Sequence, residues 1–251
     1  MSTTSTPTRV ALVTGGSGGI GSAVAERLAA DGMAVAIHYA SKAAPAEELA
    51  ARIGAAGGRA MVVGGDAAGD VADEVAMAAA FDAVEAELGG IDVVVNTAGI
   101  MLLGPIATLD LADLDRMHRT NIRGTFVVSQ LAANRLRAGG ALVNFSTTVT
   151  RTAFPTYGAY VASKAAVESI TPVLARELRG RDITVNAVAP GPTATPLFLD
   201  GKDQQTIENL AKAAPLERLG TPADIAETVS FLAGPARWVN GQVLFVNGGL
   251  A

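Results

Sequence analysis

Seven short runs of the chain are apolar at almost every position and end in glycine or small polar residues: RVALVTGG, MAVAIHYA, RAMVVGGD, IDVVVNTAG, ALVNFSTT, ITVNAVAPG and QVLFVNGG. Continuous apolar runs of this length predict strands buried on both faces. Between them lie stretches with apolar residues three and four apart, which predict helices: GSAVAERLAADG, APAEELAARIGAAGG, DVADEVAMAAAFDAVEAELGG, the segment from about Tyr157 to Leu178, and Pro222 to Leu232. LADLDRMHRTN and IRGTFVVSQLAANRLRAGG read as two further helical stretches. Strands that alternate with helices imply one α/β domain, a doubly wound, seven-stranded parallel sheet with helices on both faces and right-handed connections. No Pro/Ser/Gly-rich linker divides the chain and no longer repeat is present, so a single domain over 9–251 is expected after a polar tail at 1–8. The least regular segment, about 192–220, follows the C-terminal end of a strand, where such sheets hold ligands, and is the expected substrate lid.

Composition narrows the function. Of 251 residues, 49% are hydrophobic, enough for a sizeable core, while only 4% are aromatic. A net charge of -5 argues against a nucleic-acid footprint. There is no cysteine, which removes disulfides, thiolate nucleophiles and Cys metal sites, and the two histidines, His38 and His118, are isolated, so no metal is expected. The N-terminal MSTTSTPT lacks a basic-then-apolar pattern and reads as a frayed tail rather than a signal peptide. No uncharged apolar run approaches the roughly 20 residues that span a bilayer. A cytoplasmic protein without membrane or nucleic-acid partners is the expectation.

Two motifs carry chemistry. Thr14, Gly15, Gly19 and Gly21 form T-G-x-x-x-G-x-G between the first strand and its helix, with Ser17 and Ile20 inside the turn. Glycines there let backbone amides and a helix N-terminus approach a pyrophosphate, although a tight turn alone also explains them. In FPTYGAYVASKAAV, Tyr160 and Lys164 are four apart and project from one helix face, whereas Tyr157 has no lysine one turn on. A free tyrosine, with a pKa near 10, is a weak acid at neutral pH, and a nearby lysine would lower it.

With NTAG (Asn96 to Gly99) closing the fourth strand, these motifs resemble the short-chain dehydrogenase/reductase family over about Arg9 to Gly249, and 3-oxoacyl-carrier-protein reductases within it. The resemblance implies a Rossmann-type fold, a Tyr160 acid/base and a Lys164 that holds the nicotinamide ribose. It implies a hydroxyl donor at Thr147, thirteen residues before the tyrosine, where the family has serine. Ser146 is its neighbour, and strand alternation turns it to the opposite face. Asn121 matches the family asparagine whose main-chain carbonyl holds a relay water, and it reads equally as a helix-kink residue. The glycine motif would hold the dinucleotide, with Asn96, Ala98 and Gly99 on the adenine-ribose side. Asp66 would meet adenine or serve only as a turn or cap. Pro190, Gly191, Thr193 and Thr195 of PGPTATP would close over the nicotinamide, or form a rigid loop.

The end of the second strand reads HYASK, with Tyr39 where an acid would accept from a ribose 2'-hydroxyl. Ser41 and Lys42 offer a hydroxyl and a charge to a 2'-phosphate, so NADP(H) is expected over NAD(H), with Lys42 as a solvated loop lysine the competing reading. The function implied is an NADP(H)-dependent oxidoreductase that interconverts a ketone and a secondary alcohol. A sugar or polyol dehydrogenase is the near alternative, and a catalytically silent NADP-binding regulator the distant one. Leu197, Phe198 and Leu199 suggest an apolar substrate wall or simple lid packing. His118 and Trp238 fall outside the motifs and are assigned to surface, interface or core. The family resemblance implies a homotetramer, built through the fourth and fifth helix pair and the C-terminal strand region.

Overall fold

The computed structural model describes residues 8–65 and 68–251. In chain order the elements are β1 (Val10–Thr14), α1 (Gly19–Ala30), β2 (Ala34–Tyr39), α2 (Ala44–Ala55), β3 (Arg59–Gly64), α3 (Glu74–Leu88) and β4 (Val93–Asn96). There follow α4 (Leu111–Met117), α5 (Gly124–Arg135), β5 (Ala141–Phe145), α6 (Val149–Thr152), α7 (Gly158–Glu177) and β6 (Thr184–Pro190). The last are α8 (Pro196–Leu199), α9 (Gln204–Ala213), α10 (Pro222–Ala233) and β7 (Val243–Val246). The seven strands form one sheet in the order β3-β2-β1-β4-β5-β6-β7, and every neighbouring pair is parallel.

Strand alternation divides the apolar side chains between two layers. Ala11, Val13, Val35 and Ile37 pack with Val24 and Leu28 of α1, Leu49 and Ile53 of α2, and Ile225 and Val229 of α10. Val10, Leu12, Ala34 and Ala36 turn the other way, onto Met77 and Phe81 of α3 and Val128 and Ala132 of α5. Because both faces are covered, the strands carry apolar residues at consecutive positions, the pattern visible in the sequence. Each fully buried Leu, Ile or Phe contributes roughly 1.5–3 kcal/mol. Strand order reverses at β1, whose neighbours are β2 and β4. The crevice beyond the C-terminal ends of β1 and β4 is therefore the place where such a sheet binds ligands.

Two readings are made specific here. The two contiguous helical stretches are one run: α4 passes through a π-helical turn, His118–Arg123, into α5. No proline or glycine cap interrupts the backbone hydrogen-bond ladder at Asn121, so the register widens without a break. Trp238 is fully exposed, which selects the surface among the places expected for it.

Candidate active site

The chain leaves β1 through Gly15 at a φ of 64°, a left-handed conformation that costs a non-glycine residue strain. A Cβ on Gly21 would stand 2.3 Å from the Gly15 carbonyl oxygen, and one on Gly19 would stand 2.9 Å from Thr195 Cγ2. α1 starts at Gly18 without a side-chain cap, which leaves its first amides free for an anion. Gly15, Ser17, Gly19, Ile20 and Gly21 all line one cleft, and Ala98 and Gly99 from the end of β4 face them across it. The donor set, the positive end of the helix and the absence of side-chain bulk fit a dinucleotide pyrophosphate.

At the far end of this cleft the expectations hold only in part. Ser41 lines it, whereas Tyr39 and Lys42 do not. β2 alternates, so Tyr39 shares a face with Val35 and Ile37 and packs onto the α1/α2 layer. Asn96 also stands outside the cleft wall. It is 3% exposed and ties three strands together: Thr14 Oγ1 donates to its Oδ1 at 2.6 Å, and its Nδ2 donates to Asn144 Oδ1 at 3.3 Å. Asp66 lies outside the described residues. The aspartate found in the cleft wall is Asp70, beside Val71, with Arg119 and Thr120 from the π-helical turn opposite. Arg119 Nη2 donates to Asp70 Oδ2 at 2.7 Å. Sequence reading passed over Asp70 because Asp66 is the first acid after β3, while Asp70 stands further along the loop between β3 and α3.

The inner end opens into a second pocket, where Thr147 follows β5 and Tyr160 and Lys164 project from α7. Thr147 is 7% exposed, and its side chain stands beside the Tyr160 phenol, where it favours phenolate. Ser146 lines the same pocket, but its hydroxyl is engaged: it donates to Glu168 Oε1 at 2.6 Å. Thr150 Oγ1 lies 2.8 Å from the same carboxylate oxygen and 2.9 Å from the Thr147 carbonyl, so Glu168 pins the loop that carries Thr147. Lys164 Nζ donates to the Phe145 carbonyl at 2.9 Å. A Cβ on Gly99 would meet both Lys164 Nζ and Asn121 Oδ1 at 3.2 Å.

Asn121 is fully buried within the π-helical turn. Its Oδ1 accepts from Ile100 N and its Nδ2 donates to Ile100 O, both at 2.9 Å, and Nδ2 also donates to Ser163 Oγ at 3.0 Å. Ser163 in turn donates to the Tyr160 carbonyl at 2.7 Å. The side chain thus ties the chain after β4 to the helix that bears Tyr160 and Lys164. The Asn121 carbonyl accepts from Thr125 Oγ1 at 2.7 Å.

Burial governs the titration of this group. It pushes the Tyr160 phenol up to about 12, against a smaller opposing effect from Thr147, and it pushes the Lys164 ammonium down to about 8. The net shift of Tyr160 is therefore upward, opposite to the direction expected from Lys164, with burial its largest cause. Both groups sit in a low-dielectric wall that disfavours charge on either, and Lys164 directs its hydrogen bond to a carbonyl instead. Tyr157, half-buried beside Tyr160 with ring centroids 6.4 Å apart, is also raised by burial.

Pro190, Gly191, Thr193 and Thr195 line the same pocket on the β6 side. Thr193 Oγ1 donates to Gly191 O at 2.9 Å, and Thr195 caps α8 by accepting from Phe198 N at 3.2 Å. From α8, Leu197 and Phe198 reach the pocket and Leu199 does not. Met101, Phe154, Leu210 and Leu250 complete the wall; none was singled out in the sequence, because only the fold brings these distant positions together. Among the described residues, no group of three His, Asp or Glu could hold a metal, and no helix is long and apolar enough to cross a membrane.

Residues 15–251 match the family model described as enoyl-(acyl carrier protein) reductase. The chain is 42% identical over 256 residues to an NADPH-dependent aldehyde reductase-like protein, chloroplastic, of Arabidopsis thaliana, a match covering 96% of this chain and 93% of that relative. It is 43% identical over 252 residues to a short-chain type dehydrogenase/reductase of Picea abies, covering 96% and 92%. Among solved structures, a short chain dehydrogenase from Burkholderia cenocepacia J2315 in complex with NADP superposes with a TM-score of 0.88 at 41% identity, covering 96% of this chain and 97% of that one.

Proposed function

The chain belongs to the short-chain dehydrogenase/reductase family, and from that premise we propose that it interconverts a ketone and a secondary alcohol with NADP(H). One observation carries the reading: Thr147, Tyr160 and Lys164 converge where the glycine-lined cleft opens into an apolar pocket. The glycine turn, Ser41, Ala98, Gly99, Lys164 and the Pro190–Thr195 segment would hold NADP(H), which supplies hydride to the carbonyl carbon when bound. No carboxylate stands at the end of β2 to repel a 2'-phosphate.

The remaining chemistry falls to side chains. Thr147 donates a hydrogen bond to the substrate carbonyl oxygen and strengthens it as charge develops there. Tyr160 gives its proton to that oxygen, and its elevated pKa keeps it a phenol throughout the neutral range. Lys164, charged below about pH 8, stabilises the phenolate left behind. Asn121 fixes the helix that carries both through Ser163, and its main-chain carbonyl is the group to which the family resemblance assigns a relay water.

The threonine series tests the assignment. Thr147→Ala is expected to lose roughly ten- to a thousandfold in turnover, by analogy with a lost oxyanion donor, whereas Thr147→Ser stays active. A Ser146→Ala variant more damaged than Thr147→Ala in initial-rate assays would show that the wrong hydroxyl has been chosen. Glu168→Ala is expected to lower kcat about tenfold by releasing the Thr147 loop, with KM for NADPH unchanged; equal kcat for Glu168→Ala and wild type would remove the positioning role. In a pH profile, kcat/KM for reduction should fall above about pH 8 as Lys164 loses its proton. A profile flat to pH 10 would contradict this.

With the continuous α4–α5 run counted as the fourth helix and α7 as the fifth long one, the family's helix-pair assembly is supported by Phe126 and Val173, 54% and 51% exposed, on α5 and α7. Sedimentation of wild type against Phe126→Glu tests it, with dissociation of the variant expected.

A further inference from the structure

The substrate pocket has a one-sided chemistry. Phe154, Tyr157 and Tyr160 form an edge-to-face series along one wall, with centroids 6.1 and 6.4 Å apart. Leu197, Phe198 and Leu210 of the lid face them, and Met101 closes the side toward β4. Leu250 comes from the opposite end of the chain and is held there by a built turn: Asn247 Oδ1 accepts from Gly249 N at 3.0 Å and from Leu250 N at 3.2 Å.

Polar capacity in this wall is largely committed. Thr148 Oγ1 donates to the Ala189 carbonyl at 3.2 Å and Thr193 Oγ1 to Gly191 O at 2.9 Å. Among the described residues, the one charged side chain in the lining is Lys164, whose Nζ donates to Phe145 O. The Thr147 and Tyr160 hydroxyls are thus left for a single carbonyl oxygen, Thr152 Oγ1 is the one further buried hydroxyl of the lining without a partner among the described residues, and no arginine or second lysine stands in the wall to pair a carboxylate or phosphate. A carboxylate buried there would lose its water without compensation. A polyol would leave several hydroxyls unpaired.

We propose that the pocket takes a neutral carbonyl compound bearing an aromatic or branched alkyl group, and that it excludes oxo acids, phosphorylated ketones and ketosugars. The inference rests on the carbonyl-reductase reading above. It assigns substrate selection to Phe154, Phe198 and Leu250, and it sets aside the sugar and polyol alternative.

The test is a matched pair that differs by one group, 1-phenyl-1,2-propanedione and phenylglyoxylate, with erythrulose as the polyol. In NADPH-consumption assays the diketone should exceed both others in kcat/KM by about a hundredfold or more. Leu250→Lys should narrow the diketone-to-phenylglyoxylate ratio at least about tenfold, a shift that the intrinsic reactivity of the two compounds does not produce. Wild-type turnover of phenylglyoxylate or erythrulose at or above the diketone, or a ratio unmoved in Leu250→Lys, would overturn the proposal. If none of the three is reduced, saturation-transfer NMR on the NADPH complex separates the two claims. Binding of the diketone without phenylglyoxylate keeps the pocket assignment and rejects the reductase reading, whereas binding of phenylglyoxylate, or of neither, rejects the pocket assignment.

Discussion

Tyr160→Phe is expected to lower the rate of ketone reduction by about 10⁴-fold, the upper range for a lost general acid, with the affinity for NADPH changed less than about twofold. The substitution removes one oxygen and leaves the ring, so the edge-to-face contact with Tyr157 and the pocket wall persist. What disappears is the proton that the carbonyl oxygen must receive. No neighbour can replace it: Thr147 is a far weaker acid, and Tyr157 has no lysine one turn on. Initial rates and fluorescence titration with NADPH measure the two halves of the expectation. A variant within about tenfold of wild type would remove Tyr160 from the reaction.

The second large effect couples activity to stability. Lys164→Met is expected to lose about a thousandfold in turnover and to melt higher than wild type at pH 7. Burial lowers the Lys164 pKa from 10.5 to about 8, and at 1.36 kcal/mol per unit the charge costs the fold about 3 kcal/mol. Methionine removes that cost but forfeits the hydrogen bond to Phe145 O, worth roughly 1 kcal/mol, with a further penalty if the carbonyl finds no new donor. The net gain is about 1–2 kcal/mol, or roughly 3–5 °C in Tm for a chain of this size. The pH dependence follows from the sign of the shift. Between about pH 8 and 10.5 the unfolded chain binds more protons than the folded one, so wild-type stability rises through that window. The advantage of Lys164→Met is therefore largest below pH 8 and fades by about 10.5. Calorimetry at pH 7 and pH 10 checks it, and a variant less stable than wild type at pH 7 would show that the lysine supports the fold rather than burdening it.

The fold was legible because burial on both faces writes each strand as a continuous apolar run, as at Leu12 and Val13, whose neighbouring side chains enter opposite layers. The same alternation was the ground for choosing Thr147 over Ser146; both line the pocket, and it is the Ser146 hydroxyl that is engaged by Glu168. Alternation also explains the misplaced Tyr39, which follows Ile37 into the helix layer. Three features lay beyond the sequence for different reasons. The π-helical turn at Asn121 is a matter of backbone register rather than side-chain pattern. Glu168 looks like an ordinary helix-surface acid until α7 docks on β5 and brings it to Ser146 and Thr150. Phe154 and Leu250, 96 positions apart, share a wall only through the tertiary fold.

The most direct test of the central claim follows the cofactor and the product together in wild-type protein. NADPH and NADH are supplied separately with 1-phenyl-1,2-propanedione, and nucleotide oxidation is compared with the hydroxyketone formed. One hydroxyketone for each NADPH oxidised, with kcat/KM at least about tenfold above that for NADH, is the predicted result. NADPH binding without hydroxyketone formation from any neutral ketone would contradict the reductase assignment, and a preference for NADH would contradict the choice of cofactor.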